Sequence, residues 1–233
     1  MTKIVFIHGL CGSKNNFRNI RKHFPDTDAF DLPGYGELEH ELGPFTTERY
    51  VAFLESKIRQ KCILVGHSMG AILAKEFALA HPELIEKLIL IGYPMQRDAK
   101  MMRYMLSLRP LGRLYVRPTF LGLLLVRLHW LIMIPILLYA IIFRYRDYPT
   151  YRDWFRHRAD TVHEAFVGVI LRDDWRTMAS IRDKIVFITG QYDPYVDLSL
   201  LKDFKSIVIK GEGHTLINRQ DEVADEIKKI IEK

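Results

Sequence analysis

A buried strand that enters a helix through Gly-x-Ser-x-Gly leaves a chain few folds to choose from. Here Cys62-Ile63-Leu64-Val65 runs into Gly66-His67-Ser68-Met69-Gly70 and on into Ala71-Ile72-Leu73-Ala74-Lys75-Glu76-Phe77-Ala78. The first run has the unbroken apolar character of a strand covered on both faces, and the last reads as helix. The turn between them is tight enough to strain the serine backbone, and the flanking glycines remove Cβ atoms that would collide. Ser68 then stands clear of the sheet at a helix N-terminus. There, backbone N–H groups and the helix dipole favour a developing negative charge.

Other segments fall in a telling order. His8-Gly9 ends the apolar strand Ile4-Val5-Phe6-Ile7, Asp193 follows the strand Lys184–Thr189, and His214 follows the strand Ser206–Ile209. Ser, Asp and His therefore come in that order, each at the C-terminal end of a predicted strand, where ligands sit in open α/β sheets. Short Val/Ile/Leu strands are predicted near 3–7, 27–31, 61–65, 87–92, 184–189 and 206–210. They alternate with amphipathic helices near 15–24, 47–60, 69–80, 197–204 and 216–232, which implies a mostly parallel sheet with helices on both faces. Thr46 or Thr47 is the expected cap of the second helix. Val223, Ile227, Ile230 and Ile231 make a core-facing stripe on the last.

On four motifs the chain resembles the α/β-hydrolase superfamily, in particular its small serine esterases and lipases. These are His8-Gly9-Leu10, Asp31-Leu32-Pro33-Gly34-Tyr35-Gly36, Gly66 to Gly70, and the segments holding Asp193 and His214. The stretch His8 to Ser13 with Asn15-Asn16-Phe17 looks most like the cofactor-free esterases. The resemblance covers 1 to about 93 and about 183 to 233, the expected catalytic core, and implies a helical cap or lid over 94–182. The two strands that usually precede the His-Gly strand have no counterpart here, so a sheet of about six strands is expected. The resemblance implies Ser68 as nucleophile, His214 as general base and Asp193 as its partner. It implies the backbone N–H groups of Leu10 and Met69 as the oxyanion hole, and no metal or organic cofactor.

Competing residues have duller roles. Asp183 precedes its strand, at the wrong end of the sheet, and Asp197 is placed to cap the next helix. Asp98 follows the strand ending at Gly92, a position some relatives use. His8 braces the oxyanion loop and His67 packs beside the nucleophile, while His81 carries no catalytic signal. Asp31 and Pro33-Gly34-Tyr35-Gly36 read as a structured turn. Cys11 and Cys62 have neither metal-ligand spacing nor a disulfide framework.

The interval 94–182 breaks the β-α alternation. Between 97 and 158 it holds twelve Lys/Arg against three acids, a net +9, whereas the whole chain is +6 and the remainder therefore −3. Trp130 to Phe143 is an unbroken apolar run, and from Phe120 onward only Arg127 and His129 interrupt it. Arg127, His129 and Pro135 argue against a membrane span. Three readings stay open: a buried cap helix walling an acyl pocket, an exposed element touching a membrane surface with arginines on anionic headgroups, or a homodimer contact. No nucleic-acid-binding motif is present. Met1-Thr2-Lys3 leads into a strand without the basic and apolar regions of a signal peptide, so a cytoplasmic protein, peripheral at most, is expected.

The expected function is hydrolysis of carboxylic esters of lipophilic acyl groups through an acyl-serine. A thioesterase, whose arginines would meet the phosphates of an acyl carrier, is the alternative on the same triad, as is a carbon–carbon bond hydrolase. Dehalogenase or epoxide chemistry is disfavoured, because relatives with those activities carry Asp where Ser68 stands. A ligand sensor or membrane-associated scaffold is the alternative of a different kind.

Overall fold

Alternating apolar residues in the strands build a core on both sides of one sheet. The computed structural model describes residues 2–108, 113, 129–143, 148–154 and 156–232. Its strands are β1 (Lys3–Ile7), β2 (Thr27–Phe30), β3 (Cys62–His67), β4 (Ile85–Ile91), β5 (Ile185–Gly190) and β6 (Lys205–Ile209). They form a six-stranded sheet in the order β2-β1-β3-β4-β5-β6, with every pair parallel. Parallel neighbours need long crossovers, and helices supply them.

Side chains in a strand point to opposite faces in turn. Val5 and Ile7, Cys62 and Leu64, and Leu88 and Leu90 pack on one face with the helices α2 (Thr47–Lys57) and α3 (Met69–Ala80). Ile4 and Phe6, Ile63 and Val65, and Ile89 and Ile91 pack on the other. That face is covered by Ile20 of the single-turn helix α1 (Arg18–Arg21) and by Val223, Ala224, Ile227 and Ile230 of α8 (Gln220–Ile231).

Several predicted elements come out shorter, each for a local reason. The helix expected over 15–24 is a 3-10 turn, Lys14–Phe17, followed by α1. Ser13 starts it with a reciprocal cap to Asn16, and Pro25 bars helical conformation at Phe24. Thr46, not Thr47, caps α2, accepting from the Arg49 N–H at 3.4 Å. The helix expected over 197–204 is only the 3-10 turn Leu198–Leu201, capped by Asp197. The last helix begins at Gln220 because Leu216 takes a left-handed conformation and only a 3-10 turn follows it.

The described part of the interval 94–182 is helical apart from its connections. It contains α4 (Ala99–Ser107), α5 (His129–Phe143), α6 (Tyr148–Asp153) and α7 (Ala159–Ala165), a π-helical turn at Phe166–Ile170, and 3-10 turns over Trp175–Lys184. Residues 120–128 of the long apolar stretch lie outside the described residues. Among the described residues, no helix is long and apolar enough to cross a membrane.

Lys75, one of two charged residues on α3 with Glu76, is fully buried. Its ammonium lies 2.8 Å from Asp173 Oδ1 and 3.3 Å from the Asp174 carbonyl, and it also meets Glu76. Asp173 accepts in turn from the Tyr93 hydroxyl at 2.6 Å. This buried group ties α3 and the end of β4 to the segment that leads back into the sheet.

Candidate functional site

The topology creates a crevice before any side chain is placed. From β1 the chain steps one way to β2 and then crosses back to put β3 on the other side of β1. Ligand sites in open α/β sheets form beyond the carboxyl ends of strands at such a reversal. The segments after β1 and β3 meet there.

Ser68 sits alone between β3 and α3 with φ 54° and ψ −121°. A non-glycine residue at such φ is uncommon and has to be held by its surroundings. Its neighbours do this through backbone contact that glycine alone permits. A Cβ on Gly66 would lie 2.6 Å from the Ala71 Cα, and one on Gly70 would run into the carbonyls of Ile7 and His8. The Ser68 N–H donates to the Ile91 carbonyl at 2.9 Å, fixing the turn to β4. The turn points the Ser68 hydroxyl away from the sheet at the start of a twelve-residue helix. As the first residue of that helix, Met69 has an N–H with no intrahelical acceptor.

Asp193 and His214 reach Ser68 from the loops after β5 and β6. His214 Nε2 lies 2.8 Å from Ser68 Oγ, and His214 Nδ1 lies 2.8 Å from Asp193 Oδ2. The other carboxylate oxygen accepts from the Tyr195 N–H at 2.9 Å. The Asp193 side chain is fully enclosed and that of His214 is half-buried, 18% exposed. Tyr195 sets its ring edge-on to the imidazole at 4.7 Å. The His67 ring donates to the His214 backbone carbonyl at 3.0 Å. Burial, together with the neighbouring His214, drives the His67 pKa down to about 4, so His67 is neutral and serves as a fixed support.

The loop after β1 is pressed against the serine. A Cβ on Gly9 would fall 2.9 Å from the Ser68 Cβ, so the Gly9–Leu10 backbone passes directly beside the hydroxyl's own carbon. His8 anchors this loop. Its Nε2 accepts from the Leu32 N–H at 2.9 Å and its Nδ1 donates to the Gly9 carbonyl at 2.8 Å. Burial holds the His8 pKa below its ordinary value, consistent with the neutral tautomer these two bonds require. Asp31 holds the following turn, accepting from the N–H groups of Lys14 and Glu37 at 2.7 and 3.0 Å. Cys11 of this loop packs, partly buried, against the core, and desolvation pushes its thiol up to about 12.

The remaining candidates stand apart from this cluster. Asp98 caps α4 through the Met101 N–H at 2.8 Å, Asp197 caps its own turn, and His81 pairs with Glu55 at 2.8 Å. Asp183 lies exposed ahead of β5.

One contact has no precedent in the sequence reading. Asp153 of α6 is buried, and its Oδ2 accepts from Ser13 Oγ at 2.9 Å and from Asn15 Nδ2 at 2.7 Å. Thr150, a turn earlier, donates to the Asn15 carbonyl at 3.1 Å. Arg152 and the donors from Ser13 and Asn15 hold the Asp153 carboxyl below its ordinary pKa against the opposing effect of burial. Helix α6 therefore grips the loop that follows β1. The available signal was compositional: Asp153 is one of three acids in a region otherwise full of arginine.

A doubly wound parallel sheet, with a serine on a strained strand-to-helix turn facing a histidine–aspartate pair, defines a class of α/β proteins built around a hydroxyl at the switch point. A model of the alpha/beta hydrolase family matches residues 4–226, and the chain belongs to that family. The sn-1-specific diacylglycerol lipase ABHD11 of Danio rerio is 34% identical over 99 residues, which are 39% of this chain and 31% of that protein. The chain thus matches about a third of the length of that curated relative. Among solved structures, a carboxylesterase study of Nitrososphaera gargenis gives a TM-score of 0.71 at 16% identity, covering 99% of this chain and 89% of the other. MenH from S. aureus gives 0.69 at 19% identity over 99% and 93%. These two likenesses are likenesses of fold.

Proposed function

We propose that this protein is a serine hydrolase that cleaves carboxylic esters of lipophilic acyl groups through an acyl-serine intermediate. The observation that carries the reading is the continuous chain Ser68 Oγ, His214 Nε2, His214 Nδ1, Asp193 Oδ2, with both links at 2.8 Å. Ser68 Oγ attacks the acyl carbon while His214 Nε2 takes its proton, and His214 then returns that proton to the departing alkoxide. Asp193 accepts the Nδ1 hydrogen bond, which selects the tautomer and stabilises the imidazolium. The oxyanion is received by the N–H groups of Met69 and Leu10, each such donor being worth about 3–4 kcal/mol in the transition state. Water, deprotonated by His214, releases the acyl group.

The ester assignment is supported by the family and by the lipase among the relatives. A lipophilic substrate is supported by the apolar inserted segment, whose α6 is tied to the Ser13–Asn15 loop. The reading takes 94–182 as a cap over the catalytic core.

The test is hydrolysis of p-nitrophenyl esters of increasing acyl length by the wild type and by Ser68→Ala. Turnover that rises with chain length and disappears in the variant is the expected result. Equal turnover in the variant, or none on any ester, overturns the assignment and brings thioester or carbon–carbon substrates forward. Activity limited to short chains keeps Ser68 as nucleophile and removes the lipophilic part of the reading.

A further inference from the structure

Helix α5 is apolar from end to end. No Asp, Glu, Lys or Arg occurs between His129 and Phe143. Helices of that composition are normally enclosed in protein or set against lipid. In this structure Ile134, Leu138, Tyr139, Ile141, Ile142 and Phe143 are between 47% and 69% exposed. Ile134, Leu138 and Ile141 follow one another at helical spacing, with Ile142 beside them. The solvent side of the helix, where charges normally stand, is thus a continuous apolar stripe.

What covers such a face is indicated by charge. Arg127 precedes α5, and Arg144 and Arg146 follow it at once in sequence. The net +9 of 97–158 contrasts with −3 for the rest of the chain, so the positive charge is concentrated in the part that carries the stripe. An apolar helix flanked in sequence by arginine suits an anionic bilayer, where methyl groups enter the acyl boundary and guanidinium groups meet phosphate. A second copy of the chain suits it less, because two segments of net +9 would be brought together. Length decides how the helix would lie. The fifteen described residues of the helix span about 22 Å, short of the ~30 Å hydrocarbon core. Pro135 also withholds one helical N–H, a defect tolerated in the headgroup layer better than in hydrocarbon.

We propose that α5 docks in the plane of an anionic lipid surface. Its neighbour α6 packs against it and is bonded through Thr150 and Asp153 to the loop that follows β1. The membrane contact is therefore one helix removed from the site.

The experiment is co-sedimentation of Ser68→Ala protein with vesicles of phosphatidylcholine alone or mixed with phosphatidylglycerol. It reads binding without hydrolysis, so its outcome is independent of the esterase assignment. The expected result is binding to the mixed vesicles that weakens as salt rises. The additional pair Leu138→Glu/Ile142→Glu should weaken binding by about tenfold or more, since each change puts a charge where an exposed apolar side chain would enter the lipid. Arg144→Ala/Arg146→Ala should weaken it by about thirtyfold, each basic residue near an anionic surface being worth about 1 kcal/mol. Thermal melting alongside the parent shows whether the glutamate variant is folded. If it is not, the arginine pair and the salt series decide. Protein that stays in the supernatant with every vesicle overturns the proposal. So does binding indifferent to all three perturbations, or a dimer in the absence of lipid that the glutamates convert to monomer.

Discussion

Ser68 exists in its conformation because the glycines two positions to either side, Gly66 and Gly70, have no side chains. The carbonyls of Ile7 and His8 occupy the space a Cβ on Gly70 would need. Gly70→Ala should therefore lower stability by about 2 kcal/mol or more, as overpacking against backbone does, and should lower esterase turnover by shifting the turn. Urea unfolding measured beside kcat would show both losses, and an unchanged midpoint would contradict the close approach. Asp193 makes a complementary case. Asp193→Asn keeps the shape of the side chain but offers His214 Nδ1 an ambiguous partner. A fall in kcat of about 10³–10⁴-fold with little change in melting temperature is expected. A loss of less than tenfold would show that Asp193 does not hold the tautomer.

Elements are joined by polar groups where apolar packing alone would leave them free to slide. Lys75 is buried on α3 with Asp173 and Tyr93 as partners. Burial pushes the Asp173 carboxyl up while Lys75 opposes it, and burial with the adjacent carboxylate keeps the Tyr93 phenol protonated. Lys75→Met removes the cation and strands the carboxylate, at an expected cost of about 3–5 kcal/mol in urea unfolding. The double variant Lys75→Met/Asp173→Asn still lets residue 173 accept from Tyr93 without a charge, and should recover part of that loss. If the double variant is as unstable as the single, the stranded charge is not the cause. Asp153 links α6 to the loop at Ser13 and Asn15. Asp153→Ala should cost about 1–3 kcal/mol for the donors it orphans, and should reduce kcat through the loosened loop.

At the scale of the whole molecule, His8 and His67 contribute a pH dependence to stability. Burial lowers the His67 pKa to about 4, against about 6.5 for an unfolded histidine, and lowers His8 as well. Between those two values the unfolded chain binds the proton that the folded chain refuses. The His67 contribution is therefore nearly flat above about 6.5 and falls as pH drops from about 6.5 toward 4, on the order of 2 kcal/mol. A urea-midpoint series across that range measures it. His67→Gln, whose amide can still donate to the His214 carbonyl, should flatten the decline, and an equally steep decline in that variant would remove His67 as its source.

Much of this arrangement is local in origin and so is legible in the sequence. The alternation of short apolar strands with helices specifies a parallel sheet. Gly66 and Gly70 around Ser68 specify its turn, and the order of Ser68, Asp193 and His214 at strand ends specifies where they can meet. Period and turn chemistry act over a few residues, and sequence records them directly. Tertiary structure alone decided the rest. Asp153 finds Ser13 across 140 positions, Lys75 finds Asp173 across about 100, and the His67 ring supports a carbonyl 147 positions away. Nothing in the immediate neighbourhood of those residues distinguishes them from a solvated acid, a surface lysine or a packing histidine. The same holds for α5, whose composition alone reads equally as core, dimer contact or membrane face. Burial and partnership depend on how the crossovers pack the helices, and that is settled only when the whole sheet has formed.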